Sequence, residues 1–238
     1  MSADAIVTGG EDAIRALQQA TKTIPIVALA DDMLGNGFVN SLSRPNGNTT
    51  GVSILAQVLD GKRQDILIEA VPGLRRMATL ADVNHTNATK VEALQTAARA
   101  HDVELLILRV TKGDQIAAAL DGAQTSGATA LNIWGSPLFF TNRHLIMERT
   151  AAMLIPAMFT FPEEAEEGGF AAYGPSLNEL FLEVQLQQIV KLFRGTKVAD
   201  IPVEQPTKFE LVINLKTANA MGVKVPPSLL LRADKVIE

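Results

Sequence analysis

Short, unbroken apolar runs separated by stretches of helical periodicity recur along this chain, and that alternation constrains its fold more than any other feature. Ile24 to Ala30, Met77 to Val83, Val103 to Val110, Ala128 to Trp134 and Ile155 to Thr160 are such runs. Between them, apolar residues return every three or four positions over Leu59 to Ala70, Lys90 to Ala100, Asp114 to Ser126 and Arg143 to Ala152, which predicts helices. A strand apolar at every position is buried on both faces, and this requires helices on both sides of a mostly parallel sheet. The predicted class is α/β. The chain opens in the same way: Ala5 to Val7 reads as a strand, Thr8-Gly9-Gly10 as a tight turn and Glu11 to Ala20 as a helix. Gly51 to Ile54 is a further strand after the turn-rich stretch from Leu42 to Asn48. Late in the chain come a long amphipathic helix, Leu177 to Phe193, a strand, Phe209 to Ile213, and short helices at Leu215 to Met221 and Ser228 to Ala233. The acidic run from Glu163 to Glu167 reads as an exposed, mobile loop.

At 238 residues the chain is long enough for two modest lobes. Its formal net charge is −5 and it has no basic cluster beyond Lys62-Arg63 and Arg75-Arg76, so nucleic acid is not an expected partner. Cysteine is absent, which removes disulfides, thiol nucleophiles and thiolate metal sites. No apolar run reaches the roughly 18–20 residues of a membrane span, and Met1 to Ile6 has neither the basic region nor the apolar stretch of an export signal.

In open α/β sheets, ligands sit beyond the carboxyl ends of the strands. That rule selects Thr8, Gly9 and Gly10, whose backbone N–H groups and following helix start suit an anionic group, against the plain reading of a glycine turn. It selects Asp31 and Asp32, which read as an acid/base pair, as a partner for a ligand ammonium, or as caps of the next helix. Asn84 and Asn87 offer neutral donors and acceptors or simply form turns. Trp134, the only tryptophan, stands beside Gly135 and Ser136; its ring either stacks on a planar ligand or packs the core. Phe161 has the same two readings, and Tyr173 is the only tyrosine.

No motif for covalent chemistry emerges. Ser136 is followed by Pro137 and lacks the Gly-x-Ser-x-Gly context of a nucleophile elbow. Of the three histidines only His144, with Glu148, has the spacing of two ligands on one helical face, and surface pairing is the preferred explanation of it. The expectation is a binding protein with no catalytic residues, no metal and no cofactor.

Leu74 to Asn84, the pair Gly168-Gly169 before Tyr173-Gly174-Pro175, and above all Pro202 to Ala218 resemble the ABC transporter substrate-binding protein family with the type I periplasmic binding fold. Arg44 to Gly51 is similar to that family's turn before the chain first crosses between lobes, and Pro226 to Leu230 to its C-terminal helix start. The resemblance implies two Rossmann-like lobes joined by a three-strand hinge, with lobe I made of residues 1–53 and 168–198 and lobe II of 54–167 and 199–238. It implies a small-molecule solute clasped between the lobes by domain closure, an ABC permease as partner and a periplasmic location. Some relatives bind aromatic amino acids, which Trp134, Phe161 and Asp31 would suit. The runners-up are the effector-sensing core of a regulator and an α/β enzyme using Asp31 or Asp32. Members of the family usually have two strand–helix units before the stretch matching Ala5 to Gly10, so lobe I is expected to lack its first strands. The Ala5 to Val7 strand would then have an open edge. A second copy covering that edge as a homodimer, a misassigned start and a weakly binding fragment are the alternatives.

Overall fold

A computed structural model describes residues 3–238. The chain divides into two compact units, the first comprising the chain to Leu55 together with Pro175–Phe209, the second Ala56–Gly174 with Glu210–Glu238. The chain therefore passes between units three times, after Leu55, Gly174 and Phe209. These boundaries differ from the sequence expectation at all three crossings, by two residues at the first, where Ile54 and Leu55 fall in the first unit, and by more at the other two. Residues 168–174 belong to the second unit, because Ala171–Gly174 is a strand inside its sheet, and residues 199–209 belong to the first.

In the first unit, β1 (Ile6–Gly9), β2 (Ile26–Ala30) and β3 (Thr49–Ser53) form a parallel sheet in the order β1-β2-β3. Helix α1 (Glu11–Ala20) connects the first two strands. β2 is buried at every position, as its unbroken Ile-Val-Ala-Leu-Ala run requires, whereas β1 alternates in exposure and leaves Val7 half exposed at the end of the sheet. Ile14, Ile26, Ala28, Met33, Phe38 and Val203 form the core. Gly51 is obligatory in β3: its φ is 142°, and a Cβ there would lie 1.8 Å from the Ala28 carbonyl oxygen of the paired strand. The helix over residues 177–193 is amphipathic as expected, but it widens to a π-helical segment at Leu180–Gln185. Its Gln188 is buried and donates to the carbonyls of Gly51 (2.9 Å) and Pro202 (3.1 Å), tying it to β3.

The second unit has a seven-stranded sheet in the order β10-β9-β8-β7-β6-β4-β5. Along the chain its elements are α2 (Asp60–Ala70), β4 (Arg76–Asp82), α3 (Ala88–Arg99), β5 (Glu104–Val110), α4 (Ile116–Thr125), β6 (Leu131–Ile133) and α5 (Pro137–Thr141). There follow α6 (Arg143–Ala152), β7 (Ala157–Phe159), α7 (Pro162–Glu166), β8 (Ala171–Gly174), β9 (Glu210–Asn214) and β10 (Lys235–Ile237). Every neighbouring pair is parallel except β8 with β9. Two core clusters confirm the two-sided burial. Ile66 and Leu67 of α2 and Val91 and Leu94 of α3 pack with Met77, Ala81 and Trp134, while Ile116 and Leu120 of α4 and Ile146 of α6 pack with Leu80, Ile133 and Phe159.

The acidic run is not the expected exposed loop. It forms α7, in which Glu164 and Ala165 are buried. Glu164 Oε2 accepts hydrogen bonds from the backbone N–H groups of Thr160 (3.0 Å) and Phe161 (2.8 Å), so it caps the helix from within.

Candidate functional site

The carboxyl ends of the parallel strands hold the candidate residues, and each unit is built differently there. In the first unit Gly10, with φ 90°, is the N-cap of α1; its N–H donates to the Leu29 carbonyl (3.0 Å) and its carbonyl accepts from Ile14 (3.1 Å). Thr8 and Gly9 complete β1 just before it, so the start of α1 lies at the carboxyl end of β1. Asp31 and Asp32 follow β2. The Asp32 carboxylate accepts from the Gly35 N–H (2.8 Å), which makes it a turn cap, while the Asp31 carbonyl accepts from Leu55 N–H (2.8 Å) and from the Ser53 hydroxyl (3.2 Å). Asn36 then links this turn to the start of α1 by donating to Glu11 Oε1 (2.8 Å). The β1 and β2 ends are thus joined by a side-chain bridge that strand-end reasoning did not identify.

In the second unit the centre is Asp82, the last residue of β4 and 4% exposed. Its Oδ2 accepts from the Ser136 hydroxyl (2.6 Å) and its Oδ1 from the Asn84 N–H (2.9 Å), while His85 Nε2 stands 3.9 Å from Oδ2. Asn84 and Ser136 are thereby gathered on one carboxylate that sequence reasoning passed over. Its position at the end of an apolar strand was the available signal. Asn87 lies apart from this group: its side-chain oxygen accepts from Lys90 N–H (2.8 Å) and caps α3. Ser136 also caps α5 through Leu138 N–H (3.1 Å).

Trp134 is 1% exposed and packs in the core under α2 and α3, with Lys90 Nζ 4.8 Å above its ring centroid. Of the two sequence readings, the core-packing one describes its environment. Phe161 is 8% exposed and meets Phe140 edge-to-face at 5.5 Å, and Arg143 covers the Phe140 ring at 4.6 Å. Tyr173, in β8, is half-buried, and its carbonyl accepts from Arg63 Nη1 (3.0 Å).

A buried charged cluster was not foreseen at all. Asp60, at the start of α2, pairs with Arg63 and Lys90, and its Oδ1 accepts from the Gly135 N–H (3.0 Å). Burial pushes the nearby Glu164 carboxyl up to about 7, against the pull of its two backbone hydrogen bonds and of Arg63 and Arg143. His144 approaches Glu167 (3.8 Å) on the surface. Among the described residues no group of three or more His, Asp or Glu side chains is placed to hold a metal ion, and no helix is long and apolar enough to cross a membrane.

These strand-end loops are polar and rich in capping interactions. The Ser136 hydroxyl donates to the Asp82 carboxylate, and His85 approaches the same carboxylate oxygen.

A tyrosine-binding protein of Clostridioides difficile (strain R20291) is 23% identical over 215 residues, covering 88% of this chain and 60% of its own length. The chain therefore spans less than two thirds of that curated relative. Among solved structures, a conserved domain protein of Vibrio cholerae superposes with a TM-score of 0.82 at 21% identity, covering 99% of this chain and 79% of its own. An ABC domain of Streptococcus pneumoniae in complex with L-Trp superposes with a TM-score of 0.79 at 26% identity, covering 98% and 79%. The fold is that of type I periplasmic binding proteins. The sequence profile of the family described as ABC transporter substrate binding protein matches residues 1–237, and the chain belongs to that family.

Proposed function

We propose that this chain is the solute-binding part of an ABC-type importer, that it takes a small organic solute of the aromatic amino acid class, and that it works outside the cytoplasmic membrane with a permease. The family match across residues 1–237 carries the importer role. The ligand class is supported by the pneumococcal relative seen with L-Trp and by the name of the clostridial one. In this reading the polar strand-end loops, around Gly10 and Asp31 in the first unit and around Asp82 and Ser136 in the second, are where ligand contacts are sought.

Isothermal titration calorimetry on protein unfolded, dialysed and refolded to remove co-purifying solute tests this. Saturable heat with L-Trp, L-Tyr or L-Phe, and none with L-Leu or a hexose, is expected. Binding of a sugar alone, or of no amino acid by protein with an intact circular dichroism spectrum, overturns the ligand class.

A further inference from the structure

Arg63 is fully buried, and its two Nη atoms serve different parts of the chain. Nη2 donates to the Ala56 carbonyl (2.6 Å), and Ala56 is the residue at which the chain enters the second unit. Nη1 donates to the Tyr173 carbonyl (3.0 Å), one residue before Gly174, from which the chain leaves it. The planar guanidinium thus spans the incoming and outgoing segments as a rigid two-donor fork, a geometry that a lysine ammonium does not reproduce. The preceding residue, Leu55, has a φ of 55°. A branched side chain holds that conformation only where its surroundings over-determine it.

The same cluster reaches the candidate loop after β6. Asp60 pairs with Arg63, accepts from the Gly135 N–H (3.0 Å), and pairs through its other oxygen with Lys90. Asn132 of β6 adds a bond to the Asp60 carbonyl (3.3 Å), and Lys90 lies over the Trp134 ring. Buried charges that only stabilised the unit would be replaceable by apolar packing. These instead join segments that are far apart in sequence, and they share atoms in doing so: Asp60 Oδ1 takes both Arg63 and the Gly135 N–H, and Arg63 Nη2 serves both Ala56 and Asp60.

We infer that Asp60, Arg63 and Lys90 are positioning residues of the ligand site: they fix the loop 134–136 to the two chain segments that enter and leave the second unit, so that movement of those segments is felt at Gly135 and Ser136. This rests on the solute-binding reading for its purpose, but its physical content is readable without ligand. The test is residue-resolved amide exchange by NMR on Arg63→Lys, with the single tryptophan supplying one indole N–H resonance.

Exchange at Gln57, Gly174 and Gly135 is expected to quicken together by about tenfold. The Trp134 indole resonance should shift, and the amides of β4 and β5 should stay as in the native protein. Lys90→Met should move the indole resonance while leaving Gln57 and Gly174 unchanged. Faster exchange confined to α2, with Gly135 and the Trp134 indole unmoved, would reduce Arg63 to a local helix stabiliser and overturn the inference. Should Arg63→Lys not fold, Asp60→Asn, which keeps the shape and removes the charge, takes its place, and the same three amides support or overturn the coupling in the same way. An aromatic amino acid bound by the native protein should be held about tenfold more weakly by a folded Arg63→Lys; unaltered affinity counts against the positioning role. If the native protein binds none of them, the ligand class falls while the exchange result still decides the coupling.

Discussion

Glu164→Gln should change how stability depends on pH, and the direction follows from burial. The Glu164 carboxyl is raised from its ordinary 4.5 to about 7, chiefly because it is buried, with the Thr160 and Phe161 N–H groups and the charges of Arg63 and Arg143 opposing the rise. Below about pH 4.5 the group is protonated in the folded and unfolded chain alike, and its contribution to stability is fully present. As the pH climbs, the unfolded chain releases this proton first, while the folded chain keeps it until about 7, so stability falls across that window. At about 1.4 kcal/mol for each pH unit separating the two values, the loss is on the order of 3 kcal/mol. Glutamine keeps an oxygen able to accept both backbone bonds and has no proton to release. Urea unfolding of native and variant protein at half-unit steps from pH 4 to 8 measures the effect, and the difference between the two curves removes the contribution of other groups. The native protein should lose stability relative to Glu164→Gln between pH 4.5 and 7 and run parallel to it above. Parallel curves throughout, or a native protein that gains on the variant as pH rises, would refute the burial argument.

Three further substitutions probe the fold and the site. Gly51→Ala forces a Cβ to within 1.8 Å of the Ala28 carbonyl oxygen at a φ of 142°; separation of β2 from β3 should cost upwards of about 3 kcal/mol, seen as loss of protection from amide exchange in β1, β2 and β3. Trp134→Ala, at a 1% exposed core position, should cost about 3–5 kcal/mol of stability by denaturant unfolding, and a cost under about 1 kcal/mol would show that the ring is not a packing element. Asn87→Ala removes the cap of α3 provided by its bond to Lys90 N–H and should cost about 1 kcal/mol, with Asn87→Asp restoring most of it.

Much of the fold is legible because its signals are local. The helices Glu11–Ala20 and Arg143–Ala152 begin and end where the periodicity does, and the apolar runs at Ile26–Ala30 and Glu104–Val110 are parallel strands. What was misplaced depends on partners distant in sequence. The expected lobe boundary fell before residue 168, yet Ala171–Gly174 is drawn into the larger sheet by β7 on one side and by antiparallel β9 on the other, and β9 lies more than thirty positions along. The acidic run was misread although its cue was local. Glu164 stands three residues after the N-cap Phe161, the spacing at which a glutamate side chain reaches back to the N-cap N–H, and the count of carboxylates obscured it.

The candidate site shows the same division in sharper form. The strand-end rule selected loops correctly as places where polar groups gather, but it is silent on which of those groups are already engaged. Asp32, Asn87 and Ser136 each cap a turn or helix beside them, because a chain leaving a strand must satisfy the backbone groups it uncovers before it can serve a ligand. Capping residues and ligand-contacting residues are drawn from the same short list of side chains, so composition alone cannot separate them. Asp82 is the instructive case. Its Oδ1 caps its own turn through the Asn84 N–H, as those residues do, while its Oδ2 also takes the hydroxyl of Ser136 from a loop more than fifty positions along, a partner that no local pattern announces.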